Sequence, residues 1–125
     1  MSEEKIIVLV VDDEPINIDL IKGVLPDTYK VKAAISGERA LKIASKTPFP
    51  DVILLDVMMP EMDGYEVCRQ LKADPVTKEI PVLFVTGNSD EAEVQKGKEL
   101  GALATLGKPI DPATLIECIQ RAVSR

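Results

Sequence analysis

Residues 6–15 read IIVLVVDDEP, and this stretch decides the fold. Ile6–Val11 is an uninterrupted apolar run, the pattern of a strand covered on both faces rather than one with a wet side. Asp12 and Asp13 end it abruptly. Pro15 then suits the first turn of a helix, where its missing N–H has no partner to lose. Ile16, Leu20, Val24 and Leu25 recur at helical spacing until Pro26 stops them. A buried strand that feeds a helix through a short acidic turn is the opening of a parallel α/β sheet.

The rest of the chain repeats that grammar. Tyr29–Ile35 alternates, with Tyr29, Val31, Ala33 and Ile35 set against Lys30 and Lys32, which predicts a less buried strand at or near a sheet edge. Gly37–Lys46 reads as a helix on Ala40, Leu41 and Ala44, closed by the TPFP of residues 47–50. Val52–Leu55 is a third strand, ending on Asp56. The loop MMPEMDG follows, with Asp63 as the cap of a helix over Tyr65–Lys72 that turns Val67, Cys68 and Leu71 inward. Ile80–Val85 is a fourth strand and runs into Thr86-Gly87. Asp90–Leu100 is a weakly amphipathic helix with few apolar anchors and Gly97 inside it. Leu103–Leu106 is a short fifth strand, ended by Gly107-Lys108-Pro109. Pro112 opens a last helix with Leu115, Ile116, Ile119, Ala122 and Val123 on its core face. Five strands alternating with five helices imply a doubly wound parallel sheet with right-handed crossovers. The 125 residues form one domain, with its core over about 6–123.

Composition removes whole classes of function. Fifteen basic against twenty-one acidic residues give a net charge of −6, contrary to the clustered cations that a nucleic-acid surface needs. There is no histidine, which excludes Ser-His-Asp and Cys-His nucleophile pairs, His-ligated zinc and a phosphohistidine on this chain. Two Tyr, two Phe and no Trp leave no base-stacking platform. Cys68 and Cys118 lie far apart on helix faces and read as reduced core thiols, in keeping with a cytoplasmic protein. The apolar run near the start is too short for a signal peptide and follows Glu3 and Glu4. No segment reaches the ~18 apolar residues that cross a bilayer.

In a doubly wound sheet the site lies beyond the carboxyl ends of the strands. There stand Asp12 and Asp13, Asp56, Thr86 and Lys108. Each taken singly is an ordinary turn, cap or solvated residue; their shared edge is what carries meaning. Three crowded carboxylates repel one another unless a cation neutralises them or one is protonated. Oxygen-only ligands point to a hard ion, Mg²⁺ above all. A carboxylate so placed can attack phosphorus and form an aspartyl phosphate.

The motifs LVVDDEP, LLDVMMPEMDG, FVTG and GKP, in this order and spacing, resemble the receiver domain of two-component response regulators, over about Ile6 to Val123. The resemblance implies a chemotaxis-regulator-like, flavodoxin-like sheet in the strand order 2-1-3-4-5. It makes Asp56 the phosphoacceptor, loaded from a sensor histidine kinase or a histidine phosphotransfer protein. It has Asp13, Asp56 and the Met58 backbone carbonyl ligate Mg²⁺ (or Mn²⁺), with Asp12 supporting the ion largely through water. Thr86 is then the switch hydroxyl and Lys108 the phosphoryl-binding ammonium, followed by a cis peptide to Pro109. Such a receiver catalyses only its own phosphorylation and dephosphorylation, and controls an output domain or partner through the surface of helix four, strand five and helix five.

One position departs from the family pattern: Thr105 stands where an aromatic ring usually reports the position of the switch hydroxyl. The alternative is a phosphorylation-independent interaction module, against which the intact Asp56, acid pair, Thr86 and Lys108 count. Aspartyl-phosphate hydrolases need an acid two residues after the nucleophile, where this chain has Met58. A flavin phosphate would need a Ser/Thr/Gly-rich loop where DDEPIN stands. The flavour of DEPINIDLI and MDGYEVCRQLK is similar to receivers fused to cyclic-dinucleotide or hybrid-kinase modules.

Overall fold

The structure, a computed structural model, describes residues 5–124. Five strands, β1 (Ile6–Val11), β2 (Tyr29–Ala34), β3 (Val52–Asp56), β4 (Val82–Thr86) and β5 (Ala104–Gly107), alternate with five helices. The helices are α1 (Pro15–Val24), α2 (Gly37–Ala44), α3 (Gly64–Ala73), α4 (Glu91–Glu99) and α5 (Pro112–Val123). The strands form one sheet in the order β2-β1-β3-β4-β5, and every neighbouring pair is parallel.

The solid apolar runs have a simple cause. Successive side chains of a strand point to opposite faces, so a sheet covered on both sides needs apolar residues at every position. Leu9, Val11, Ile53, Leu55, Val82 and Phe84 meet Ala40, Ala44, Val67, Cys68 and Leu71 on the side of α2 and α3. Val8, Val10, Val52, Leu54, Leu83 and Val85 meet Ile18, Ile21, Leu115 and Ile119 on the side of α1 and α5. Strand β2 lies at one edge, as its alternation predicts, and its lysines line that border: Lys30 is exposed and Lys32 donates to the Pro48 carbonyl at 2.8 Å. The opposite edge, β5, is only four residues long.

Four helices start on a side-chain cap that satisfies a first-turn N–H. Ser36 accepts from Arg39 N, Asp63 from Glu66 N, Asp90 from Glu93 N and Asp111 from Thr114 N. Among the described residues both cysteines are free, and no helix is long and apolar enough to cross a membrane.

Several boundaries move by one or two residues. Strand β4 begins at Val82 because Ile80 closes a turn, its N–H donating to Thr77 O. Strand β5 begins at Ala104, and Leu103, although bonded to Val82 O, stays partly exposed. Strand β2 stops at Ala34, its last pairing with Val11. Ile35 therefore leaves the sheet towards α2 and is exposed, while Ala34 is buried instead.

Gly97, which propensity counts against α4, has a packing reason. A Cβ there would lie 2.9 Å from Thr105 Oγ1 and 3.1 Å from Phe84 Cδ2, so its absence lets α4 sit directly on β4 and β5. It is also the sole buried residue of that helix.

Candidate functional site

Parallel register brings the strand ends together. Val11 pairs with Leu55, Asp56 with Val85, and Thr86 with Gly107. Asp12 and Asp56 therefore stand level on one edge of the sheet, with Thr86 one residue and Lys108 two residues further out. Asp12 and Asp56 are 3 % and 5 % exposed, and Asp13 is half-buried at the rim. One carboxylate oxygen from each of the three lies within 4.8 Å of the other two. Among the described residues this is the one such cluster of potential metal ligands.

Lys108 supplies the opposing charge. Its Nζ donates to Asp56 Oδ1 at 3.2 Å and to Asp12 Oδ2 at 3.4 Å. The lysine is held from behind by its own N–H, which donates to Thr86 O at 2.9 Å, and the Lys108–Pro109 peptide is cis. A second cis bond joins Thr47 to Pro48, which the sequence reading did not include. Asp12 Oδ1 accepts from Glu14 N at 2.9 Å, fixing the turn into α1. Thr86 ends β4 buried, its hydroxyl accepting from Asn88 N at 3.2 Å.

The electrostatics follow from that geometry. Burial pushes the Asp56 carboxyl above its ordinary range, and the Asp12 and Asp13 charges push the same way; Lys108 opposes them. Burial alone would lower the Lys108 ammonium, but the pull of Asp56 and Asp12 outweighs it and leaves it raised. The site is therefore short of positive charge. Three oxygens, one on the open rim, match what a hard divalent cation with several retained waters requires. Met58 lies two residues past Asp56 and turns its side chain out to solvent. Met59 and Met62 instead pack into the core beneath the loop.

The backbone beneath Asp56 is tightly built. Gly64 N donates to Val57 O at 2.8 Å, and a Cβ on Gly64 would stand 2.2 Å from Asp56 O. Helix α3 thus starts against the carbonyl of Asp56, which only a glycine permits. Beside the cluster a cavity of about 580 Å³ opens between α1 and the loop into α5, lined by Asp12, Leu20, Asp56, Lys108 and Ile110 among others.

The family model for the response regulator receiver domain matches residues 8–120. The chain belongs to the response regulator receiver domain family. It is 48 % identical over 103 residues to a Vibrio cholerae protein named "Probable cyclic di-GMP phosphodiesterase", and 46 % identical over 109 residues to the response regulator PleD of Caulobacter vibrioides. Those matches cover 82 % and 86 % of this chain but 23 % and 24 % of the relatives, so the chain spans about a quarter of their length. Among solved structures, the receiver domain of the sensor histidine kinase PA1611 from Pseudomonas aeruginosa is 27 % identical at a TM-score of 0.87, covering 98 % of this chain and 100 % of that one. That receiver holds a magnesium ion coordinated in its active-site cleft. Receiver domains bind Mg²⁺ at an acidic cluster, and Asp12, Asp13 and Asp56 form one here.

The structure also brings forward a residue that the sequence reading used only to open a helix. Tyr65 of α3 reaches α4, where its hydroxyl donates to Glu93 Oε1 and Lys96 Nζ sits 4.1 Å above its ring. Its ring meets Phe84 edge-on at 5.3 Å. The signal available in the sequence was scarcity: Tyr65 is one of four aromatic residues in the chain.

Proposed function

We propose that this receiver takes a phosphoryl group onto Asp56 from the phosphohistidine of a sensor kinase or phosphotransfer protein in the cytoplasm, and relays the change to an output domain or partner. The observation that carries the reading is the Lys108 ammonium held between Asp56 and Asp12 inside a three-carboxylate cluster. An Asp56 oxygen attacks phosphorus as the bond to the donor nitrogen breaks, and the imidazole leaves with the electron pair. Burial and the neighbouring acids raise the basicity of that carboxylate, while Lys108 opposes that rise and is positioned to swing onto a phosphoryl oxygen. Thr86 offers the hydroxyl for another oxygen. Asp13, Asp56 and the Met58 carbonyl would hold Mg²⁺ or Mn²⁺, with Asp12 acting through water; the ion offsets charge on the transferring group. The apolar stripe of Ile16, Leu20 and Val24 on α1, exposed beside the cavity at the acceptor, supports a protein as donor. The net charge of −6 and the absence of a membrane-spanning helix among the described residues fit a partner that is neither nucleic acid nor membrane. Residues 1–125 act as one receiver unit.

Intact-mass spectrometry after incubation with acetyl phosphate and Mg²⁺ tests this. One added phosphoryl group is expected, absent in Asp56→Asn. A wild-type chain that stays unmodified, or an adduct that persists in the Asn variant, overturns the assignment and leaves a phosphorylation-independent module.

A further inference from the structure

Helix α4 buries less than any other helix, since Gly97 is its only buried residue. Its C-terminal half is seated by the missing Cβ of Gly97 over Phe84 and Thr105, and Cys68 Sγ donates to Leu100 O just beyond its end at 3.5 Å. A different device grips the helix on both sides of its middle, at Glu93 and Lys96. Tyr65 lies against Phe84, donates its hydroxyl to Glu93, and carries the Lys96 ammonium over its ring face. Three interactions of distinct physical kinds converge on one side chain: an edge-to-face aromatic pair, a hydrogen bond to a charged acceptor, and a cation–π contact.

The other end of that side chain is anchored beside the acceptor. Tyr65 follows Gly64, whose Cα sits so close to Asp56 O that a Cβ would collide with it. Gly64 N is bonded to Val57 O, and the Asp63 carboxylate caps the same helix turn. A displacement of the backbone after Asp56 therefore carries Tyr65 with it. Position 105, facing Phe84 across the β4–β5 register, has no ring to do this work.

We propose that Tyr65 is a positioning residue that clasps α4 in its resting place and ties that helix to the acceptor strand through Gly64. The proposal rests on Asp56 as the site of phosphorylation only for its signalling consequence; the clasp itself is a property of the unmodified chain. Burial, and then the bond to Glu93, push the Tyr65 phenol up to about 12, so the hydroxyl keeps its proton and donates throughout the neutral range.

Hydrogen exchange on the full chain tests the clasp without any phosphoryl group. Tyr65→Phe keeps the ring and removes only the bond to Glu93, so the amides of α4 should exchange about fivefold faster, in line with about 1 kcal/mol for one net hydrogen bond. Amides of β1, β3 and α5 should be unchanged. Glu93→Ala should have the same effect, and the double variant should exceed neither single one, because both remove the same contact. With Mg²⁺ and beryllofluoride, a mimic of the aspartyl phosphate, the added change in α4 protection should be smaller in Tyr65→Phe than in the wild type. Unaltered α4 exchange in Tyr65→Phe, additive single effects, or a loss of protection spread evenly over the sheet would each overturn the clasp. Failure of the wild type to gain mass from acetyl phosphate would overturn the phosphoacceptor reading and leave the exchange result intact.

Discussion

Replacing Asp56 by Asn should make the metal-free protein more stable. At 4.8 Å, the outer separation of the clustered oxygens, two unit charges repel by about 3.5 kcal/mol at an effective dielectric constant of 20. Burial of a 5 % exposed carboxylate adds several kcal/mol of lost hydration. Against these stands Lys108 at 3.2 Å, worth about 5 kcal/mol on the same scale but discounted because its side chain is 30 % exposed. The raised Asp56 carboxyl says which side wins: the charged form is disfavoured in the native state. Asn keeps an oxygen for Lys108 and removes both the repulsion and the buried charge. A gain of about 2 kcal/mol is expected, or about 8 °C in Tm for a chain of this size. Thermal melts in EDTA read it directly. Because native Asp56 titrates above its unfolded value, the penalty is absent in acid below that value and grows as pH rises through the native one. The gap between variant and wild type should thus narrow as the pH is lowered into the acid range. Mg²⁺ should raise the wild type more than the variant. An Asp56→Asn protein that melts at or below the wild type in EDTA refutes this balance of charges.

Two other substitutions probe neighbouring features. Lys108→Met should cost the metal-free protein about 2 kcal/mol in a urea titration, because it leaves Asp12 and Asp56 facing each other uncompensated at a partly exposed site. The lysine's raised pKa means that its support is present at neutral pH and is lost only as pH rises through the native value in strong alkali. Gly97→Ala should destabilise by about 1 kcal/mol despite a helix-propensity gain of about the same size, since the new methyl meets Thr105 and Phe84. In a Thr105→Ala background that cost should fall by half or more, and a stabilised Gly97→Ala single variant would show that α4 does not sit this tightly.

The sheet and the acidic edge were legible because one rule governs both. A strand covered on two faces must be apolar throughout, so the polar residue that ends each central run marks its exit, and those exits are Asp12, Asp56 and Thr86; Lys108 follows the edge strand β5, which carries Thr105 within it. Strand order alone needed the family resemblance. What periodicity could not supply were contacts between faces of different elements. The Tyr65 pair with Glu93 spans 28 positions and joins two helices whose patterns are each unremarked in isolation. Gly97 misleads for the same reason: propensity sees a weak helix former, whereas the gain lies in what the missing methyl lets approach. Alternation sets Ala33 and Ile35 with Tyr29 and Val31, yet Ala33 is exposed, Ala34 is buried, and Ile35 lies past the last pairing of β2.

The borders of the sheet bear on how the chain behaves when crowded. A sheet edge offers a row of open N–H and C=O groups that another copy can pair with, the first step towards fibrils. Here one border presents Lys30 and Lys32, and the second ends after four residues. Like charges would have to face each other for two β2 edges to zip together, and four residues give too few bonds to hold a foreign strand. The same sheet that needs unbroken apolar runs inside it therefore carries its own guard against aggregation at the rim, and adding a β-branched residue in place of Lys30 would remove half of that guard.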